Sequence, residues 1–98
     1  MKRIFIVLRS RGPAWDPART LVEQKEWQAH ATFMDALFDE GFVLLAGPPE
    51  GSPDALIVMR AASAEQIASR LAADPWTASD LLRTTRIDPW TLRLGSLP

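Results

Sequence analysis

Ile4-Phe5-Ile6-Val7-Leu8 is an unbroken apolar run, set between Lys2-Arg3 and Arg9. Successive side chains of a strand leave opposite faces of the pleat, so a strand with one wet face alternates apolar with polar residues. This run does not alternate, and neither does Ala55-Leu56-Ile57-Val58-Met59. Two strands that are apolar throughout predict a sheet covered on both faces. Five residues are too few for the roughly 7 to 15 of a signal-peptide core or the about 20 of a membrane helix. The expectation is therefore a cytoplasmic chain with no membrane partner.

Outward from these strands the punctuation is clear. Ser10 to Leu21 carries Gly12, Pro13, Trp15, Asp16 and Pro17, the composition of a long loop. From Val22 to Glu40 apolar residues recur at helical spacing, with Trp27, Ala31, Met34, Leu37 and Phe38 on one face and Gly41 as the stop. Phe42 to Ala46 reads as a second strand, closed by Gly47, Pro48, Pro49, Gly51 and Pro53. After the third strand, Ser63 precedes Gln66 by three positions, a capping-box spacing that opens a helix running to about Ala73. Asp74 suits a cap and Pro75 a first helical position, so a short helical turn is expected over Trp76 to Leu82. Thr84 to Leu94 is the last strand; Pro89, lacking an amide donor, belongs at a bulge or an edge.

The order β-α-β-β-α-β predicts an α+β domain of the ferredoxin-like type with an antiparallel sheet. At 98 residues the chain forms one domain, 1–98. Two helices cover one face of such a sheet, and the simplest cover for the other is the same face of a second subunit, so a homodimer is expected. Val7 and Ile57 serve as trial positions for the outward face, which alternation alone does not identify.

Composition narrows the function. With 47% hydrophobic and 23% charged residues the chain is not of the disordered class. A net charge of -1 without blocks of like charge argues against nucleic acid. The absence of cysteine excludes disulfides, thiolate nucleophiles and cysteine metal sites, and one histidine excludes a histidine metal cluster. No metal and no cofactor are expected.

Few residues remain for chemistry. His30 lies three after Trp27 and four before Met34, on or beside the core-facing side of the first helix. An imidazole there suits general acid or base work, and equally suits a hydrogen-bonded core position. Asp74 reads as a helix cap, although a carboxylate can also orient a histidine. Arg9 and Arg11, where the first strand ends, can hold a carboxylate or phenolate by charge-assisted bonds or stand as solvated surface charges. Trp15 needs burial for its ring and either packs on the core or lines a pocket. Trp27, Trp76 and Trp90 read as core or interface, and Asp35 and Asp39 as a solvated helix face.

Taken in order, the hydrophobic first strand, His30, Leu45-Ala46-Gly47-Pro48, Ala73-Asp74-Pro75-Trp76 and Ile87-Asp88-Pro89-Trp90 resemble the YCII-related (YciI-like) family, a branch of the dimeric α+β barrel superfamily. The resemblance covers nearly the whole chain. It implies a dimer with a small-molecule pocket beside a His and Asp pair, by position His30 and Asp74, and some relatives act by dehalogenation or elimination on small ring compounds. On that reading the chain is a lyase or isomerase in which His30 moves a proton on a small, anionic ring substrate, Asp74 orients it, and Arg9, Arg11, Trp15, Gly47 and Pro48 contact the ligand. The segment Arg9 to Pro17 is longer and more decorated than the family pattern and bears on substrate identity. A non-catalytic metabolite-binding dimer and a purely structural dimerisation domain are the alternatives.

Overall fold

The computed structural model describes residues 1–97. Strand β1, Arg3–Arg11, is central; β3, Ala55–Ala61, pairs with one side of it and β4, Leu82–Pro89, with the other, both antiparallel. Strand β2, Val43–Gly47, pairs antiparallel with β3, giving the order β2-β3-β1-β4 of a ferredoxin-like domain. Helices α1, Trp27–Asp39, and α2, Ala64–Leu71, connect the strands, and a single turn, α3, Pro75–Ala78, precedes β4.

Register fixes the faces. Phe5 stands opposite Met59 and Val7 opposite Ile57, and these four are buried with Leu37, Ile67 and Leu71 beneath the helices. Val7 and Ile57 therefore point inward. The outward face is Ile4, Ile6 and Leu8 with Leu56 and Val58; Val58 is buried and the other four half-exposed.

Several boundaries differ from expectation. The first helix begins at Trp27 instead of Val22, because Glu26 sits at φ 62° in the left-handed region and breaks the run. Leu21–Glu23 forms only a 3-10 turn, boxed by Thr20 and Glu23. The stripe of α1 against the sheet runs through His30, Phe33, Met34 and Leu37, so Phe38, expected in the core, is 60% exposed. Leu82 opens the last strand instead of closing α3, and that strand ends at Pro89 rather than Leu94. Pro89 closes a strand at the sheet edge, where its missing donor leaves no ladder bond unmade. The bulge lies elsewhere: Leu8 faces Arg86 but Arg9 faces Thr84, leaving Thr85 as the extra residue.

Candidate functional site

A cavity of about 450 Å³ opens between α1, the ends of β1 and β2, and the two loops that follow those strands. The loop after β1 is tied down where β4 begins: Gly12 N donates to the Leu81 carbonyl at 2.9 Å and Ala14 N to that of Asp80 at 3.1 Å. This brings Trp15 edge-on to Trp76, with ring centroids 5.6 Å apart, in a second apolar cluster with Leu81, Leu82 and Trp27. Arg11, exposed, lays its guanidinium over the Trp15 ring at 4.6 Å.

Asp74 is fully buried behind the cavity wall and does two things. It caps α3, its Oδ1 accepting from Trp76 N at 3.0 Å. It also faces His30, whose Nδ1 lies 3.0 and 2.9 Å from the two carboxylate oxygens. Burial is the largest influence on Asp74 and by itself would raise its pKa; the hydrogen bonds from His30, Trp76 N and Arg9 outweigh it and hold the carboxyl below the usual aspartate value. An ionised carboxylate only accepts, so the proton between the two sits on Nδ1. His30 is then left with Nε2 as its free edge, and it lies on the cavity wall. Beneath it, Trp76 stacks on the imidazole with centroids 3.9 Å apart.

Of the residues singled out from sequence, Arg9, Arg11, Trp15, His30, Gly47 and Pro48 all line this one cavity, and Asp74 stands directly behind His30. Arg9 differs in orientation from the expected ligand contact. It is 1% exposed, with Nη1 donating to Asp74 Oδ2 at 2.6 Å and Nη2 to Thr77 Oγ1 at 2.6 Å. Trp27 and Trp76, expected as core or interface, also line the cavity, whereas Trp90 is exposed. Ser52 and Asp54 on the loop after β2 complete the wall. Nothing in their sequence context marks them, because their approach depends on the fold. Among the described residues no three His, Asp or Glu side chains converge as metal ligands, and no helix is long and apolar enough to cross a membrane.

The walls are apolar and aromatic, with the imidazole edge of His30, the guanidinium of the exposed Arg11, the buried Arg9 and the carboxylate of Asp54. Such a site can enclose a planar ring and exchange a proton with it.

No protein-family model matches the chain, and no curated protein matches it. Among solved structures it is similar to 5-chloro-2-hydroxyhydroquinone dehydrochlorinase from Burkholderia phenoliruptrix AC1100, in complex with 2,5-dihydroxybenzoquinone. The TM-score is 0.67 with 21% identity, over 90% of this chain and 93% of that one. At that identity the likeness establishes the ferredoxin-like fold.

Proposed function

We propose that the protein is a YciI-like enzyme of the lyase type, in which His30 acts as general base on a small ring compound and Asp74 orients it. One observation carries this reading: the lone histidine, braced by a buried carboxylate and an indole, lies on the wall of an aromatic cavity of about 450 Å³. The likeness to a dehydrochlorinase solved with a dihydroxybenzoquinone supports a ring as substrate. In an elimination, Nε2 takes a proton from the substrate, the electron pair left behind forms a double bond, and the bond to the leaving group breaks with its electrons. The imidazolium formed is stabilised by Asp74. Arg11 at the rim suits an anionic oxygen of the ring substituents. The functional unit is a homodimer joined through the outward face of the sheet.

The test begins with 5-chloro-2-hydroxyhydroquinone as substrate and 2,5-dihydroxybenzoquinone as ligand. Turnover is followed by chloride release. In His30→Asn it is expected to fall by roughly 10²- to 10⁴-fold, the usual contribution of a positioned proton-transfer group, while binding of the quinone persists. Binding by the wild type without any turnover of halogenated ring compounds would leave a metabolite-binding module instead. If neither compound binds, the ring-substrate reading is wrong.

A further inference from the structure

Arg9 is the part of this site that packing does not explain. Withdrawing a guanidinium from water costs several kcal/mol, and an apolar residue of similar volume commonly serves stability as well as a buried ion pair does. Yet Arg9 is 1% exposed, and its Nε has no hydrogen-bond partner. Orphan buried donors are rare in native folds. The sheet is also irregular at this point: the register shift between β1 and β4 falls between Leu8 and Arg9, and bulges next to functional sites re-aim side chains. What the side chain reaches is Asp74 and Thr77, and Thr77 is itself anchored by donating to the Leu71 carbonyl at 2.8 Å.

We propose that Arg9 is a positioning residue that acts on His30 through Asp74. Its Nη1 occupies Asp74 Oδ2 and, with Thr77 holding Nη2, fixes the plane of the carboxylate. Asp74 is thereby kept as an acceptor when His30 takes up a proton. With Nδ1 committed to Asp74, Nε2 is the imidazole edge left open to the cavity. Asp54 and Arg11 are the other charged groups on the cavity wall. The kinetic consequence rests on the reading of His30 as a base; the spectroscopic one does not.

Because His30 is the single histidine of the chain, protein labelled with ¹⁵N-histidine gives one imidazole signal pair. The wild type is expected to show the ring proton on Nδ1, as the bond to Asp74 requires. Arg9→Met, which frees the Asp74 carboxylate to rotate, is expected to move the signals toward a mixture of the two tautomers, and an unchanged spectrum would overturn the proposal. With 5-chloro-2-hydroxyhydroquinone, Arg9→Met is expected to lower kcat roughly 10- to 100-fold, by analogy with the outer hydrogen-bond partners of metal-ligating histidines. It is expected to cause no further loss in an Asp74→Asn background. A rise in KM alone, additive with Asp74→Asn, would make Arg9 a substrate contact and refute positioning. If no substrate turns over, the enzyme reading fails while the ¹⁵N spectrum still decides the role of Arg9. Should Arg9→Met not fold, Thr77→Val, which removes the second anchor without removing charge, is expected to perturb the same signals in the same sense. A wild-type spectrum in that variant would count against the proposal.

Discussion

His30 lies flat on Trp76, with ring planes 6° from parallel and centroids 3.9 Å apart. With one face covered and the Nδ1 edge bound to Asp74, the imidazole cannot swing away from the cavity without breaking two different contacts. Trp76 is held in turn, its Nε1 donating to the Lys25 carbonyl at 2.7 Å. Trp76→Phe keeps a ring beneath His30 but removes that donor, and is expected to cost about 1 to 3 kcal/mol. Trp76→Ala empties a fully buried site and is expected to cost about 3 to 5 kcal/mol. Urea denaturation of both variants checks the order. Equal losses would mean that the ring itself contributes nothing.

The Asp74 carboxyl titrates below its ordinary range in the folded protein. A carboxyl whose folded pKa lies below the unfolded one adds stability that is complete above the unfolded value, about 3.9, and is lost as pH falls through the folded value. Asp74→Asn is therefore expected to be less stable than wild type at about pH 6.5, with the gap narrowing toward about pH 3. Denaturant titrations at the two pH values measure it. A gap that stays constant would show that ionisation of Asp74 does not stabilise the fold.

Gly12 is set where no side chain fits. A β-carbon there would stand 2.1 Å from the Asp80 carbonyl oxygen, the group that also accepts from Ala14 N. Gly12→Ala is expected to cost about 1 to 3 kcal/mol and to lift Trp15 away from Trp76. Melting temperature and tryptophan fluorescence report the two effects, and an unshifted spectrum with a wild-type melting temperature would contradict the clash.

Much of this was legible from sequence because it depends on pattern. The two unbroken apolar strands, the Ser63 cap and the Asp74-Pro75 start each follow from local chemistry and are found where expected. The helix start at Trp27 was not legible, since Val22 continues the apolar spacing and the break comes from the backbone, extended at Gln24 and left-handed at Glu26. The direction of Arg9 was hidden as well, because Asp74 lies 65 positions away in the chain and the bulge that precedes Arg9 arises from pairing with β4. Alternation could not say which side of β1 faces out; register with β3 does.

That register makes the dimer testable. A stable interface buries about 800 Å² per partner, and Ile4, Ile6, Leu8 and Leu56 offer an apolar surface for it. The wild type is expected to sediment as a dimer at micromolar concentration and Ile6→Asp as a folded monomer. A monomeric wild type would rule out the sheet-to-sheet assembly.

Gln24 is the residue on which the shape of the cavity wall is expected to depend. It is 3% exposed and lies outside any helix or strand. Its Oε1 accepts from Asp16 N at 3.0 Å, and its Nε2 donates to the Asp16 carbonyl at 2.7 Å, with those of Arg19 and Thr20 at 3.1 and 3.4 Å. One side-chain amide thus supplies the hydrogen bonds that a loop of this length lacks from any ladder, and the segment it ties joins Trp15 to Leu21, both on the cavity wall. Gln24→Ala is expected to cost about 1 to 3 kcal/mol, the penalty for unpairing buried polar groups, and to weaken binding of 2,5-dihydroxybenzoquinone. Turnover at saturation is expected to change less than binding, because Asp74, which holds His30 Nδ1, is fixed by Arg9 and the start of α3, outside this loop. Gln24→Glu separates hydrogen bonding from volume: its carboxylate can still accept from Asp16 N but cannot donate to the three carbonyls, so it is expected to bind no better than the alanine variant. Isothermal titration of both variants, with amide exchange over residues 16–20, decides it. Wild-type affinity and wild-type protection in Gln24→Ala would show that the wall holds its shape without Gln24.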